Sequence, residues 1–301
     1  MGGLTGVQVR ALAEQAILCS GHAACPGCID ALSARHVLAA LGRDAVAVIP
    51  PSCMAIIAGA QPLSGFRIPV YQPSLESSAA AASGLRRALD ARGKRETHVV
   101  VLAGDGGTYD IGLQCLSSAA ERNENILYVC FDNEGYMNTG AQKSSSTPQF
   151  ARTGSTPAGK PGPKKNLIEI MAAHGIPYAA TATAGFLPDL ARKVEKAKAM
   201  RGTRLLVLLV PCLDGWGVPE DQGIALARLA VESGAFPLYE VEDGERYTLN
   251  APRKSRPIRD YLAAQRRYAH LDDNQLEEMQ RAVDAAWVRL SHRARETASV
   301  E

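Results

Sequence analysis

The sequence predicts an α/β fold: a parallel sheet covered by helices on both faces, with a helical arm at the C-terminal end. Short, nearly uninterrupted apolar segments alternate along most of the chain with longer alanine-rich or amphipathic segments. Strands that are buried on both faces of a parallel sheet have this apolar composition. Glycine-containing turns follow two of the apolar segments, at positions where a parallel sheet carries its ligand sites.

The expected elements alternate in the order that connects neighbouring parallel strands. The expected strands are short and mostly apolar: 45–49 (AVAVI), 98–103 (HVVVLA), 125–132 (NILYVCFD), 178–183 (YAATAT) and 205–210 (LLVLLV). The expected helices between them are 78–91, which is alanine-rich, 112–122, 167–174, and 187–200, whose exposed face is basic.

Two stretches interrupt this alternation. Residues 138–165 are rich in Gly, Ser, Thr and Pro, and a loop of this length inside a compact domain is usually functional or disordered. After about residue 235 the sequence predicts a hairpin over 239–249, with a turn near Asp243 and Gly244, and helices over 258–264 and 273–292, the second capped by Asp272 or Asp273. We expect an α/β domain over 1–235 and an arm over 236–301 that packs on the body or on a partner subunit.

Charge and hydropathy exclude several classes of protein. The chain has 33 basic and 31 acidic side chains, a net charge of +2, whereas a dedicated nucleic-acid-binding protein usually carries a basic excess. No apolar run approaches the roughly 20 residues that a membrane-spanning helix needs, and residues 1–10 lack the pattern of a signal peptide. We expect a cytoplasmic protein that binds neither nucleic acid nor membrane, with Lys160, Lys164, Lys165 and Arg152 on a solvated loop face; a partner-docking role is the alternative for these four residues.

The first glycine-rich turn, Gly104-Asp105-Gly106-Gly107, directly follows the expected strand at 98–103. Glycines in such a turn let the backbone approach a ligand closely, and the start of the next helix attracts an anion. The spacing is neither that of a GxGxxG turn nor that of a Walker A loop. Because a carboxylate beside a diphosphate would repel it, Asp105 is best explained as a ligand of Mg²⁺ that bridges to phosphate oxygens.

The next strand ends in a second glycine-containing string, residues 132–140 (DNEGYMNTG). The carboxyl ends of neighbouring parallel strands meet at one edge of a sheet and form a ligand crevice there. Asn133 can supply a neutral side-chain oxygen to the same Mg²⁺, and the backbone carbonyl near Gly135 can supply another. The two strings therefore predict one site for a metal and a phosphorylated ligand.

Four of the seven cysteines are placed where they could share a site. Cys25 and Cys28 form a C-x-x-C pair, whereas Cys53 and Cys212 each follow an expected strand. Four thiolates can bind zinc or an iron–sulfur cluster, and the spacing alone does not distinguish the two. A thioredoxin-type redox pair is a third possibility, but the pair does not open a helix after a strand, as that motif requires.

These strings together resemble a known family. GDGGTYDIG, DNEGYMNTG and AAHGIPYAATA are similar to segments in the β subunit of pyruvate and related 2-oxoacid:ferredoxin oxidoreductases, and the linked Gly-Asp-Gly and Asn strings resemble the thiamine diphosphate motif. GHAACPGC, followed by Pro51-Ser52-Cys53 and by Pro211-Cys212, matches the pattern of that family's [4Fe–4S] ligands. The resemblance covers roughly residues 15 to 270.

The resemblance implies a pyrophosphate-binding domain for thiamine diphosphate that also holds Mg²⁺ and a [4Fe–4S] cluster. The implied cofactor-binding residues are Gly104, Asp105, Gly106, Gly107, Asn133, Tyr136, Asn138 and Thr139. The implied Mg²⁺ ligands are Asp105, Asn133 and Gly135, and the implied cluster ligands are Cys25, Cys28, Cys53 and Cys212. Cys19 is extra to the family's pattern.

Three residues are candidates for direct catalytic roles. Asn138 is expected to contact the substrate or the reaction intermediate as well as the cofactor. His22 precedes the cysteine pair, where it would hydrogen-bond the substrate or cofactor or would order its loop. Glu76 precedes the helix at 78–91, where it would serve the site or complement the helix dipole.

The implied reaction is oxidative decarboxylation of a 2-oxoacid, in most relatives with formation of a CoA ester, or the reverse synthesis. Thiamine enzymes need a glutamate that activates the aminopyrimidine ring, and this chain offers no obvious candidate. The resemblance therefore implies an α subunit that supplies the pyrimidine-binding domain, γ- and δ-type subunits or equivalents, and ferredoxin or a similar electron acceptor. The chain is expected to be catalytically incomplete alone.

Three alternatives stay open. The runs Cys28-Ile29-Asp30 and Pro51-Ser52-Cys53-Met54 differ from common pyruvate-specific forms, so the substrate could be oxalate, an aryl glyoxylate or a branched 2-oxoacid. A non-catalytic, zinc-stabilised interaction subunit would be colourless, whereas an iron–sulfur protein is brown. A thiamine decarboxylase or synthase without electron transfer would leave the four cysteines unexplained.

Overall fold

A sheet of eight strands runs through residues 16–298, the part of the chain that the computed structural model describes. The strands are β1 (Ala45–Val48), β2 (Val70–Tyr71), β3 (His98–Gly104), β4 (Leu127–Asp132), β5 (Tyr178–Thr183), β6 (Arg204–Leu209), β7 (Tyr239–Glu242) and β8 (Arg246–Leu249). Their order across the sheet is β2-β1-β3-β4-β6-β5-β7-β8. The first six strands in this order are parallel, whereas β7 and β8 pair in antiparallel fashion.

Helices lie between the parallel strands, as expected for crossovers of this kind, and others precede and follow them. In chain order the helices are α1 (Ile29–Leu41), α2 (Cys53–Ala58), α3 (Ser78–Ala91), α4 (Leu113–Glu121), α5 (Leu167–Ala172), α6 (Leu187–Ala199), α7 (Leu213–Trp216), α8 (Gly223–Ser233), α9 (Ile258–Ala263) and α10 (Asp273–Ala298). A π-helical turn (Gly106–Ile111) precedes α4, and 3₁₀ turns lie at Met137–Thr139, Ala184–Phe186 and Arg266–Tyr268.

Both faces of the sheet are buried, which explains why its strands are apolar without alternation. Along β3, Val99 and Val101 contribute to a core on one face, and Val100 and Leu102 contribute to a second core on the other face. Helices α3, α4 and α5 supply residues to the first core, and α1, α2 and α6 supply residues to the second. The predicted α/β class, with a parallel sheet covered on both faces and a C-terminal helix, is confirmed.

The predicted strands and helices are present within a few residues of their expected bounds. Four helices that flank or follow the cysteines, α1, α2, α7 and α8, and the short strand β2 were not predicted. The long C-terminal helix is capped by Asp272, whose Oδ1 accepts a hydrogen bond from Gln275 N at 2.8 Å. The predicted hairpin is not separate from the body, because Ala180 of β5 pairs with Glu240 of β7. A domain boundary at residue 235 stays a prediction.

Among residues 16–298, none of the helices is both long and apolar enough to span a bilayer. Residues 1–10, which lack the sequence pattern of a signal peptide, lie outside the described part of the chain.

Replacing Glu240 by glutamine is predicted to destabilise the fold at neutral pH but not at low pH. Burial would raise the pKa of Glu240, but hydrogen bonds from Lys196, Tyr178 and Arg192 lower it to about 2. Since the ordinary value is 4.5, this stabilisation is complete above that pH and is lost as the pH falls towards 2. Urea unfolding should show a cost on the order of 2 kcal/mol at neutral pH.

The matched control for this variant is Glu245→Gln, since Glu245 is an exposed residue of the same hairpin. Its unfolding free energy should equal that of the wild type at every pH. A cost for Glu240→Gln that stays constant as the pH falls would contradict the assignment of the effect to the ionised carboxylate.

Candidate functional site

Four chemically important residues meet at the carboxyl edge of the sheet. Cys53 begins helix α2 shortly after β1, Asp105 follows β3, Asn133 follows β4 and Cys212 lies three residues after β6. Strands β1, β3, β4 and β6 are consecutive and parallel in the sheet. Their carboxyl ends therefore lie side by side, which is where open α/β sheets bind ligands.

A cavity of about 510 Å³ opens at this edge, within the size range of small-molecule and cofactor sites. The nine residues predicted to hold the cofactor and its metal all line it: Gly104, Asp105, Gly106, Gly107, Asn133, Gly135, Tyr136, Asn138 and Thr139. The opposite wall comes from the segments after β1 and β2, including Pro51, Ser52, Cys53, Gln72, Pro73 and Leu75. Asp105 is the sole acidic side chain among the described lining residues.

Three polar groups converge in the floor of this cavity. A terminal atom of the Asn133 carboxamide lies 2.9 Å from Asp105 Oδ1 and 2.8 Å from the carbonyl oxygen of Gly135. With its oxygen at this position, Asn133 completes a set of three facing oxygens; with its NH₂ group there, it donates hydrogen bonds to the other two. Adjacent oxygen ligands of an octahedral Mg²⁺ lie ~2.9 Å apart, given Mg–O distances of ~2.0–2.1 Å. In the metal-free site the NH₂ orientation satisfies both oxygens, whereas the oxygen orientation is the one that could serve a magnesium ion.

The surroundings of Asp105 also fit a cation. The side chain is 1% exposed, and Ser144 Oγ donates a hydrogen bond to its Oδ2. Burial raises the pKa of Asp105 well above its ordinary value, and the nearby Asp132 raises it further. A divalent cation at Oδ1 would stabilise the ionised carboxylate, because opposite charge offsets the loss of solvation.

The glycine turn lies at the cavity with an aromatic ring packed directly against it. A Cβ atom at Gly106 would lie 2.3 Å from Cε1 of Tyr136. The Tyr136 hydroxyl donates to Asp110 Oδ2 at 2.8 Å and also lies 3.0 Å from the carbonyl oxygen of Gly106. Since the first N–H groups of a helix have no partner within it, the start of the helical segment at Gly106 can bind phosphate oxygens.

Replacing Gly106 by alanine is predicted to weaken thiamine diphosphate binding by about ten-fold or more, because the Tyr136 ring must move and give up its hydrogen bonds. Isothermal titration of the cofactor in the presence of Mg²⁺ measures this. The matched control is Gly84→Ala in helix α3, where a Cβ meets nothing within 4 Å. That control should bind normally and should be stabilised by about 0.5–1 kcal/mol. Equal cofactor affinity in the two variants would contradict the role of the turn.

The four cysteines of the predicted cluster line a second, smaller cavity of about 80 Å³ next to the first. They are Cys25 and Cys28 before helix α1, Cys53 at the start of α2, and Cys212 before α7. Cys25 is exposed, and the other three are half-buried. The Sγ atom of Cys212 accepts a hydrogen bond from Gly215 N at 3.3 Å, which favours a thiolate at this position.

The arrangement of possible metal-binding side chains bears on whether the cysteine cavity could hold a zinc ion. Tetrahedral zinc with Zn–S bonds of ~2.3 Å needs sulfurs about 3.8 Å apart. Within residues 16–298, no three His, Cys, Asp or Glu side chains are arranged to hold a single metal ion. Burial raises the pKa of Cys212 to about 12, and it raises that of Cys28 to about 11, with Asp30 adding to it. A positively charged group bound in this cavity would offset the cost of burying the thiolates.

The two cavities share a wall. Cys53, Asn138 and Ile56 line both of them. The Cys53 thiol donates to Asn138 Oδ1 at 3.4 Å, and Asn133 Nδ2 lies 3.8 Å from Cys53 Sγ. One cysteine of the smaller cavity is therefore in contact with two residues of the larger one.

The other two predicted catalytic residues lie outside the larger cavity. His22 is half-buried beside the cysteine loop, and its Nδ1 accepts a hydrogen bond from Ala24 N at 3.4 Å. This contact fits the loop-ordering alternative for His22. Glu76 flanks the cavity next to Leu75, and its Oε1 accepts a hydrogen bond from Ser74 at 2.8 Å. Direct roles of His22 and Glu76 stay predictions.

The expectation of a solvated loop face is wrong for Lys160 and Lys164, whereas Arg152 is exposed as expected. Lys160 is 8% exposed and donates to the carbonyl oxygen of Thr147. Lys164 reaches inward and lies 2.7 Å from Asp132 and 2.9 Å from Glu134. The ammonium group of Lys164 offsets the loss of solvation of these buried carboxylates at the end of β4.

Several residues that support the site were missed from the sequence. Ser144 contacts Asp105, Ser146 contacts Asp132, and Arg267 contacts Glu134. The run of hydroxyl residues at 144–147 was a usable signal, since such side chains commonly bond nearby carboxylates and backbone groups. Nothing in the sequence marked Arg267, which comes from a segment more than a hundred residues away from its partner.

The chain is similar to proteins of known function. The family described as "Thiamine pyrophosphate enzyme, C-terminal TPP binding domain" matches residues 54–208. Pyruvate synthase subunit PorB of Methanothermobacter marburgensis is 45% identical over 277 residues, which cover 90% of this chain and 96% of that protein. Ketoisovalerate oxidoreductase subunit VorB of Pyrococcus abyssi is 43% identical over 284 residues, which cover 90% of this chain and 91% of that protein.

A solved structure is similar in fold. It is a 2-oxoglutarate:ferredoxin oxidoreductase from Magnetococcus marinus, which superposes with a TM-score of 0.57 at 23% identity and covers 85% of this chain and 91% of that chain. At this identity the likeness bears on the fold alone, and it agrees with the parallel sheet and its covering helices.

Proposed function

The chain belongs to the family of PorB and VorB subunits of 2-oxoacid:ferredoxin oxidoreductases, and from this premise we propose that it carries the thiamine diphosphate, the Mg²⁺ and a [4Fe–4S] cluster of such an enzyme. It is an oxidoreductase subunit that acts with partner subunits. The proposed reaction is oxidative decarboxylation of a 2-oxoacid to CO₂ and usually an acyl-CoA, with electrons passed to the cluster. Ferredoxin or a similar protein is the proposed final acceptor.

The observation that carries the proposal is the meeting of three oxygen donors at the end of β3 and β4. One terminal atom of the Asn133 carboxamide lies 2.9 Å from Asp105 Oδ1 and 2.8 Å from the Gly135 carbonyl oxygen, and separations of this size are compatible with neighbouring ligands of Mg²⁺. The metal would bridge these groups to the diphosphate, and the backbone at Gly106 and Gly107 would bind the remaining phosphate oxygens. When bound, thiamine diphosphate supplies an electron sink for cleavage of the bond next to the ketone of a 2-oxoacid.

The cysteine cavity supports the electron-transfer part of the proposal. Cys25, Cys28, Cys53 and Cys212 line one cavity, and Cys₄ ligation is typical of a [4Fe–4S] cluster. A cluster bound there would accept single electrons from the cofactor site. Cys53 and Asn138 line both cavities, so these two residues would lie between the groups that the cavities would hold.

The chain's own residues would bind and orient the reactants. Asn138 and Thr139 are exposed at the cavity wall, where they can contact the cofactor and a substrate above it. Since Asp105 is the sole acidic side chain among the described lining residues, the carboxylate that activates the cofactor would come from an α subunit that closes this face. The proposed assembly also includes γ- and δ-type subunits or equivalents.

The substrate is proposed to be a 2-oxoacid of the pyruvate type. Relatives named for pyruvate and for ketoisovalerate are almost equally similar to this chain, at 45% and 43% identity. A branched 2-oxoacid is therefore the alternative that these similarities favour, and oxalate and aryl glyoxylates extend the panel to be tested.

The test is anaerobic purification of the complex with its partner subunits, followed by assays of dye or ferredoxin reduction with a panel of 2-oxoacids. Pyruvate and ketoisovalerate are each supplied with and without CoA. The proposal predicts reduction that depends on thiamine diphosphate and on one of these acids. A complex that decarboxylates a 2-oxoacid but never reduces the acceptor would contradict the electron-transfer function.

A further inference from the structure

We propose that Arg267 and Trp216, two residues outside the cavity, are positioning residues for the magnesium site, and this inference rests on the proposed function. They lie in the 3₁₀ turn Arg266–Tyr268 and at the end of α7. Neither residue lines the cofactor cavity. Both contact the turn Asn133–Gly135, which contributes two of the three oxygen donors.

The turn needs support because its backbone is strained. Glu134, between the two donor residues, has a φ of 63°, a left-handed conformation that residues with a side chain rarely adopt. Such conformations persist only where the surroundings over-determine them, and they concentrate at functional sites. Next to it, the Asn133 carboxamide lies 2.9 Å from Asp105 Oδ1 and 2.8 Å from the Gly135 carbonyl oxygen.

Arg267 fixes the side chain of the strained residue. Its Nη2 lies 2.5 Å from Glu134 Oε2, and both side chains are about 5% exposed. Lys164 holds the other carboxylate oxygen at 2.9 Å, and Thr147 Oγ1 donates to the Glu134 carbonyl oxygen at 2.7 Å. A buried ion pair is weak evidence for stabilisation of the fold, because desolvation offsets much of the attraction. Its geometry suits a role in specifying one backbone conformation.

Trp216 links the same arginine to the first donor residue. Its indole Nε1 donates to the carbonyl oxygen of Asn133 at 2.8 Å. The Arg267 guanidinium lies 3.7 Å from the centre of the indole ring, so that each side chain restricts the other. Trp216 is 1% exposed. The turn is thus held at Asn133 by Trp216 and at Glu134 by Arg267.

The consequence is that a C-terminal segment takes part in the cofactor site. Arg267 lies well beyond the end of the cofactor-domain match at residue 208. Residues that support metal ligands typically change metal affinity by about 10- to 100-fold when they are replaced. We therefore expect replacements of Arg267 and Trp216 to weaken metal binding without removing any group from the cavity.

The test uses the complex with its partner subunits, first freed of metal and thiamine diphosphate. Thiamine diphosphate is then added back, and the complex is titrated with Mn²⁺. Electron paramagnetic resonance measures Mn²⁺ binding. Arg267→Lys should raise the Mn²⁺ dissociation constant about ten-fold, and Trp216→Phe should raise it several-fold. The matched control is Arg293→Lys, since Arg293 also stacks on an aromatic ring, Tyr247, and pairs with a carboxylate, Glu169. The control should bind Mn²⁺ as the wild type does.

A merely structural role would lower the melting temperature of Arg267→Lys and Trp216→Phe while leaving the Mn²⁺ dissociation constant and line shape unchanged, and this result would overturn the inference. If the Arg267→Lys complex does not assemble, the Mn²⁺ dissociation constant of Trp216→Phe alone decides between the two roles. If the wild-type complex itself binds neither Mn²⁺ nor thiamine diphosphate, the proposed function is wrong and the inference falls with it.

Discussion

Replacement of Asp105 by alanine should abolish Mg²⁺-dependent binding of thiamine diphosphate and, with it, turnover of every 2-oxoacid. The variant removes the one charged ligand of the proposed metal and leaves Asn133 and the Gly135 carbonyl, both neutral. We expect the loss of affinity to exceed the roughly 10- to 100-fold that removal of a supporting residue costs. Calorimetric titration of the cofactor with and without Mg²⁺ measures it.

Removing the Asp105 carboxylate, by either alanine or asparagine, should leave the rest of the molecule intact. Asp105 is buried beside Asp132, and burial with this neighbour raises its pKa, so that its charge is unfavourable when no cation is bound. The melting temperature without cofactor should therefore be unchanged or higher in Asp105→Asn, which keeps the shape of the side chain. Cluster iron should be retained in both variants. Wild-type affinity for the cofactor in Asp105→Ala would refute the ligand role.

Replacement of Cys212 by alanine should remove or damage the iron–sulfur cluster. The residue caps helix α7, and its sulfur accepts a hydrogen bond from Gly215 N, which would support a thiolate ligand of iron. The expected result is loss of the brown visible absorbance and of iron, together with loss of acceptor reduction. Iron analysis and visible spectroscopy of the anaerobically purified complex measure this, after subtraction of the clusters contributed by partner subunits.

The matched control is Cys19→Ser. Cys19 is a free cysteine that precedes Cys25 by six residues in the sequence. Its sulfur accepts a hydrogen bond from Arg67 Nε at 2.9 Å, and it does not line the cysteine cavity. This variant should keep its full iron content. A full iron complement in Cys212→Ala, or equal iron loss in the two variants, would refute the assignment of Cys212.

The sequence predicted the centre of the fold well because burial on both faces leaves a simple apolar signal. The segments 98–103 and 205–210 contain mainly Val and Leu and coincide with β3 and β6. Helix α1 was missed although it begins directly after Cys28. Its N-terminal boundary carries no side-chain cap, and such caps are the usual local signal for a helix start.

The donors of the site could be predicted from the sequence, but the residues that hold them could not. Asp105, Asn133 and Cys53 follow strands, and topology brings strand ends together. Lys164 was expected in solvent because local sequence does not reveal that Asp132 and Glu134 are buried beside it. Arg267 and Trp216 meet the turn at Asn133 only through the tertiary fold, so their contacts have no local pattern.

The most direct test of the two neighbouring cofactor sites is anomalous X-ray scattering at the iron absorption edge from crystals of the complex grown with thiamine diphosphate and Mg²⁺. We expect an iron peak bounded by Cys25, Cys28, Cys53 and Cys212, and a diphosphate joined to Asp105 through a metal on the other side of Cys53. Iron absent from the cysteine cavity, or a cofactor diphosphate bound away from Asp105, would contradict this arrangement.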